Sequence, residues 1–178
     1  MEKMKNKELE KVLNAFATQV VKRAKMNLVD DKKSRGELYD TLSYNLTVEP
    51  SIFLVDFMMQ PYAMFVDKGV RGKTSVYPET ASAMSSFQYG SGTGPKGGLT
   101  KGILKWLNKK RFQWRDKQGR FLSYDTMSFL IARSIYNKGL KANLFFTKPY
   151  EELIKGLAQD VEDGFFLDVE NAIILGSK

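Results

Sequence analysis

The run Pro61-Tyr62-Ala63-Met64-Phe65-Val66-Asp67-Lys68-Gly69-Val70-Arg71-Gly72-Lys73-Thr74-Ser75 begins apolar and strand-like, then stops at a charged turn punctuated by glycine. From Arg71 to Gly98 there is no sustained periodicity, and Gly, Pro, Ser and Thr predominate. Stretches longer than about 12–15 residues without structure of their own are uncommon in compact domains and usually carry function or disorder. Tyr77, Met84, Phe87 and Tyr89 lie on this one. Such side chains are costly to leave in water, so the loop is expected to order against a partner, with packing onto its own domain as the alternative.

The segments on either side carry clear patterns. Leu9, Leu13, Phe16, Val20 and Ala24 recur at helical steps, predicting an amphipathic helix from Lys7 to Leu28. A polar break, Asp30 to Gly36, leads to a short helical turn around Leu38 to Leu42. The period then becomes two: Tyr44, Leu46 and Val48, a turn at Glu49-Pro50-Ser51, and Ile52 to Met58 read as an antiparallel hairpin. The second strand is apolar on both faces except at Asp56, which predicts a central strand. Tyr62 to Val66 reads as a third strand or a turn of helix, with extended structure favoured.

Beyond the loop the pattern is helical again. Leu99, Ile103, Leu104, Trp106 and Leu107 fill one arc, while Lys101, Lys105 and Lys109 align opposite. A basic aromatic turn, Arg111 to Arg120, separates this helix from another at Tyr124 to Lys138, with Met127, Leu130, Ile131 and Ile135 inward, Ser123 or Asp125 as cap and Gly139 as stop. A last helix starts near Thr147-Lys148-Pro149, where Pro and the acids Glu151 and Glu152 suit an N-terminus. Its stripe of Leu153, Ile154, Leu157, Val161, Phe165, Val169 and Ile173 runs past Gly164, as one helix or as two broken there. The expected fold is α+β: a small antiparallel sheet flanked by amphipathic helices, with a long Gly-rich loop and a long C-terminal helix. The 178 residues suit a single domain. It divides into an N-terminal helix (1–35), a sheet (36–70), an interface loop (71–98) and a helical part (99–178).

Absences narrow the chemistry. Without Cys or His the chain lacks disulfides, thiolate nucleophiles, the commonest general base and the commonest metal ligand. Carboxylate chemistry, a Lys nucleophile or a magnesium site of Asp and Glu would be left. The candidates Asp30, Asp31, Asp56 and Asp67 are scattered, and Asp67 beside Lys68 in a turn reads as structural. Gly72-Lys73-Thr74 looks like the end of a phosphate loop, but the required earlier glycine is Asp67, an acid where phosphate would sit. Gly92 to Gly97 matches a dinucleotide fingerprint by letters and lacks the strand and βαβ unit around it. The chain is expected not to be an enzyme and to need no cofactor. The charged N-terminus leads into no apolar h-region, and no apolar run approaches a membrane span, so a soluble protein made without Sec export is expected.

Charge is unevenly spread. Residues 68–120 hold twelve Lys or Arg against two acids, whereas residues 150–178 hold two against seven. A basic middle and acidic tail suit nucleic-acid binding, or contact between one subunit's acidic end and another's basic face, or simply a solvated surface. Lys101, Lys105, Lys109, Arg111 and Arg115, with Phe112 and Trp114 between, are the candidate DNA-facing residues, able to neutralise phosphates while a ring stacks on a base.

Tyr62-Ala63-x-x-Val66-Asp67-x-Gly69-Val70-x-Gly72 resembles the Tyr-Ala, Val-Glu/Asp, Gly stretch of the neck, head-tail connector or tail-completion proteins of tailed bacteriophages. Ile131-Ala132-Arg133-Ser134-Ile135-Tyr136-x-Lys138-Gly139 and Asn143-Leu144-Phe145-Phe146 before the last helix fit the same order, so the resemblance spans most of residues 7–160. Asp67 stands where Glu is commoner and Asn143-Leu144 where a proline is usual. The resemblance implies a structural virion protein forming a homo-oligomeric ring between head and tail. Its partners would be itself, portal or adaptor and tail proteins and, non-specifically, packaged DNA, with assembly in the bacterial cytoplasm. The interface would then involve Tyr62, Asp67, Lys68, Gly69, Arg71, Gly72, Lys73, Tyr77, Phe87 and Tyr89. The competing class is a basic, non-sequence-specific nucleic-acid-binding protein.

Overall fold

A computed structural model describes residues 6–30, 36–49, 52–74, 85–89 and 98–176. The fold is α+β, with six helices, two small antiparallel strand pairs and a long C-terminal helix among the described residues. Its contacts form two compact units: Met1–Asp67 with Leu144–Lys178, and Lys68–Asn143. The sequence boundaries at 35, 70 and 98 are therefore not those of the packing, since the last helix belongs with the first.

In the first unit α1 (Lys7–Asp30) buries Leu9, Leu13, Ala17, Val20, Ala24 and Leu28, a strict helical stripe in which Ala17 takes the central place and Phe16 its flank. The stripe packs antiparallel on α6 (Thr147–Gly176): Asp168 meets the start of α1, Glu152 lies 3.5 Å from Arg23, and Asn27 donates to the Phe145 carbonyl at 3.2 Å. α6 is unbroken at Gly164. A Cβ there would stand 3.2 Å from Val12 Cγ2 and 3.5 Å from the α1 backbone at Glu8 and Leu9, so this glycine lets two helices close together. The helix tolerates it, although an interior Gly costs about 1 kcal/mol against Ala.

β1 (Ser43–Val48) and β2 (Phe53–Met58) form the expected hairpin, in the register Ser43 opposite Met58 to Val48 opposite Phe53. Phe57 turns inward against Phe16, Phe146 and Tyr150, at ring separations of 5.1–6.5 Å. Leu54, Asp56 and Met58 face water. β2 is thus one half of a two-stranded pair and not a central strand. Its second apolar face meets no cover within the described residues, which composition alone could not reveal.

Tyr62 to Val66 is helical, not extended: α3 (Ala63–Lys68) follows α2 (Glu37–Thr41) and the hairpin, with the Tyr62 carbonyl accepting from Phe65 and Val66. Proline before the turn pre-sets φ for this start. Ala63 then reaches the core formed by Ala24, Leu28, Leu38, Leu42 and Phe145. That burial selects the helix over the strand that local propensity suggested.

In the second unit α4 (Gly98–Lys110) packs on α5 (Tyr124–Lys138) around Leu107, Met127 and Ala132. Ser123 caps α5, its hydroxyl accepting from Thr126 N at 3.2 Å, and Gly139 ends it at φ 87°. Trp106 and Leu130, expected inward, are exposed: Trp106 lies about 100° around α4 from Leu107, and Leu130 about 160° around α5 from Ala132. β3 (Val70–Arg71) pairs antiparallel with β4 (Gly139–Leu140).

Candidate assembly surfaces

Asp67 was expected on the partner-facing turn, and it is 2% exposed. Its carboxylate accepts from Phe146 N at 2.8 Å, from Thr147 N at 3.1 Å and from the Thr147 hydroxyl, and its carbonyl accepts from Leu144 N at 2.9 Å. Thr147 begins α6, so an acid from α3 caps a helix far away in sequence and satisfies donors that helix geometry leaves orphaned. Leu144 sits at φ 55°, a region a bulky residue avoids, and that turn aims the Phe146 and Thr147 amides at the carboxylate. Asp168, 4% exposed, does the same for α1, accepting from Glu8 N and Leu9 N at 3.0 and 2.9 Å. The sequence reading missed this second cap. Its only local signal is an acid on the side of α6 where the stripe runs.

The glycines of the motif are internal too. Gly69, at φ 70°, is buried where a Cβ would stand 2.5 Å from the Leu140 carbonyl oxygen, and at Gly72 a Cβ would fall 2.0 Å from that of Asn137. They permit close backbone approach between the chain flanking β3 and the last turn of α5 with the residues that follow it, in place of presenting a turn to a partner. Lys73 N and Thr74 N donate to the carbonyls of Tyr136 and Asn137, so the amides a phosphate loop would need are already engaged.

The described part of the loop folds back onto its own unit. Arg71 N donates to Phe87 O and Tyr89 N to Arg71 O, both at 2.8 Å, while buried Ser85 donates to the Gly69 carbonyl. Phe87 and Tyr89 are half-buried, and burial raises the Tyr89 pKa above its ordinary value. The Tyr89 ring lies 6.3 Å from that of Tyr136, over which Lys73 Nζ also sits at 6.0 Å. Arg71, Lys73, Phe87 and Tyr89 thus gather around β3. Of the proposed interface residues, Tyr62, Lys68 and Lys73 keep exposed side chains, and Tyr77 lies outside the described residues, as do Asp31 and the fingerprint at Gly92 to Gly97. Among the described residues no three acids gather as a metal site, and no helix is long and apolar enough to cross a membrane.

Tyr62, Met64 and Phe65 of the motif are exposed, and further exposed apolar surface lies on α6 and the hairpin. On α6, Phe165, Phe166 (61% exposed), Leu167 and Ile173 (67%) face water, so the inward placing of Phe165 and Ile173 is corrected. The inner side is held by Val161, Gly164, Asp168 and Ala172. At 100° per residue Phe166 and Ile173 point away from α1, and with Leu167 they place large apolar side chains on the outward side among the exposed acids Glu162, Asp163 and Glu170. The triplet Phe165-Phe166-Leu167 is too wide for one stripe, the signal that was available in sequence. A second apolar face is the outer side of the hairpin, with Leu54 and Met58 exposed. The hairpin packs at the Tyr150 end of α6, about 22 Å along the helix from Phe165, so the two faces are separate.

Lys101, Lys105, Lys109, Arg111 and Arg115 are all exposed. The basic turn that follows is a tight hairpin: Arg115 pairs with Phe121, and Asp116 accepts from Gln118 N and Arg120 N at 2.9 Å and from Arg120 Nε at 3.0 Å. The hydrogen bond from the Arg120 backbone holds the Asp116 carboxyl below the usual range; desolvation opposes it, and the Arg120 side chain and Gln118 N add to the lowering. A depressed folded pKa stabilises the hairpin above the unfolded value of about 3.9 and loses that stabilisation as pH falls through the folded value. In an NMR titration the Gln118 and Arg120 amides are expected to move with a midpoint below the ordinary carboxylate value. Asp116→Asn should abolish the movement, and a midpoint at or above the ordinary value would contradict the assignment.

Comparison with protein-family models, with curated proteins and with solved structures finds no match to this chain. What the fold defines is an α+β protein with two helix-capping buried acids, separate apolar surfaces and strongly basic outer residues.

Proposed function

We propose that this chain is a structural virion subunit of a tailed phage, forming part of the neck or tail-completion ring that joins portal and head to tail. The observation that carries the assembly reading is the second half of α6, where Phe165, Phe166, Leu167 and Ile173 lie in water on the outward side, interleaved with the exposed acids Glu162, Asp163 and Glu170. Several large apolar side chains exposed together on one helix mark an interaction surface more often than scattered single ones do. The outer hairpin face is a second, different surface. Two unlike surfaces on one subunit favour heterologous, head-to-tail contacts, the kind that forms a ring when the rotation between subunits closes.

Charge supports the same arrangement. The unit Lys68–Asn143 holds fifteen Lys or Arg against three acids, and the other unit holds thirteen against seventeen. Opposite net charge lets one subunit's basic unit meet its neighbour's acidic one and steers association. The phage assignment rests on the resemblance of Tyr62 to Gly72, Ile131 to Gly139 and Asn143 to Phe146. The interface moves from the glycine turn to α6 and the hairpin. No catalytic role or cofactor is proposed.

Light scattering on the purified chain is expected to give a discrete oligomer, alone or with portal and tail proteins. Phe166→Asp and Ile173→Asp should each shift it to monomer while leaving the far-UV spectrum unchanged. A wild-type chain that stays monomeric at every concentration and beside those partners would remove this reading.

A further inference from the structure

The segment from Arg111 to Leu122 combines rigidity with an exposure that folding does not require. Its ends are tied by Leu122 N donating to the Trp114 carbonyl and Gln113 Nε2 to the Leu122 carbonyl, at 2.9 and 3.1 Å, and Trp114 N donates to Met127 Sδ on α5. Asp116 and Gly119, at φ 80°, hold the tip. Yet Phe112, Trp114 and Phe121 remain 43%, 42% and 60% exposed. Phe112 and Trp114 meet edge to face at 5.9 Å, and the Arg115 guanidinium lies 4.3 Å from the Phe121 ring centre. Around these rings stand Lys109, Lys110, Arg111, Lys117 and Arg120, all exposed. The one acid between 109 and 122, Asp116, is engaged by Arg120 and the tip amides.

We infer that this hairpin grips single-stranded nucleic acid, its cations along the phosphates and its rings under unpaired bases. The inference is independent of ring formation. The excess of cations selects a polyanion, and three accessible rings among them select one with free π-faces, because every base stacks on an aromatic side chain whatever its identity. Duplex DNA keeps its bases stacked and leaves the rings without a partner. A bilayer surface fits less well, since the tip Asp116-Lys117-Gln118-Gly119 is wholly polar and would have to lead the rings into the apolar layer. The internal ties order the platform before binding, so little side-chain and loop freedom is lost on contact.

The test uses the full chain and fluorescein-labelled oligothymidylate of about 15 nucleotides, within the site sizes of such grooves. Parallel titrations use a duplex of equal length, inorganic polyphosphate and vesicles of anionic phospholipid. Oligothymidylate is expected to quench tryptophan emission and to bind about tenfold or more tightly than the duplex, as one or two stacked bases imply. Phe121→Ala and Trp114→Ala should each weaken it about tenfold at an unchanged salt slope, with Trp114→Phe largely retaining affinity. Lys117→Ala should instead lower the slope by about 0.7. Phe166→Asp, a change to the assembly surface, should bind as the wild type does, which separates this failure from that of the ring. Equal affinity for duplex or polyphosphate, aromatic variants that bind unchanged, capture by vesicles alone, or no binding would each overturn the inference.

Discussion

Asp67→Ala is expected to destabilise the unit of residues 1–67 and 144–178 by about 3 kcal/mol, seen as a fall in melting temperature on the order of 15 °C. The carboxylate is 2% exposed and receives two backbone amides and the Thr147 hydroxyl. Alanine leaves the amides at the start of α6 without partners in a place water does not reach, and losing an N-cap alone costs about 0.5–2 kcal/mol. The strained turn at Leu144 keeps its main-chain bond to the Asp67 carbonyl, so the loss is confined to what the carboxylate accepts. Asp67→Asn keeps one carbonyl acceptor and should cost about half as much, because a neutral acceptor is weaker than a charged one. Urea denaturation followed by circular dichroism measures both. An alanine variant as stable as wild type but unable to assemble would return Asp67 to the interface.

Gly72→Ala is expected to be the more damaging change in the unit of residues 68–143. The new Cβ would stand 2.0 Å from the Asn137 carbonyl oxygen and 2.5 Å from Lys138 C, backbone atoms that no rotamer change can move. Overpacking of ordinary side-chain contacts costs about 1–3 kcal/mol, and a backbone collision belongs at or beyond the upper end. The close approach of this segment to the end of α5 should open, read as lost hydrogen-exchange protection at the amides of Lys73 and Thr74, which donate to the carbonyls of Tyr136 and Asn137. Gly102→Ala is the control. With no atom within 4 Å of its Cβ, in the middle of α4, it should gain about 1 kcal/mol. Full protection in Gly72→Ala would mean that this close approach does not exist in solution.

Helices α1, α4, α5 and α6 and the β1–β2 hairpin were legible because each carries a period, and period reports which face is buried without naming what buries it. The cap at Ser123 and the stop at Gly139 were legible for a related reason: both act on neighbours within a turn. The helical turn at Ala63 was misread because its decision rests on Ala63 joining a core built from α1, α2 and Phe145. Periodicity erred where apolar residues exceed one stripe, at Trp106, Leu130, Phe165 and Ile173, and at β2, whose second face has no cover. Phe165, Ile173 and the outer face of β2 among them belong to the proposed interfaces.

The motif at Tyr62 to Gly72 shows the division most clearly. Sequence alone determined that no phosphate loop could form there, since an acid occupies the position where a phosphate would need amide donors. It also determined the charge of each segment and the helical or strand period of most elements. Only the tertiary structure decided what Asp67, Gly69 and Gly72 do. Their partners, Thr147, Leu140 and Asn137, lie 65 or more residues away, and hydrogen-bond capture and backbone approach at that separation are properties of packing that leave no local pattern in the chain.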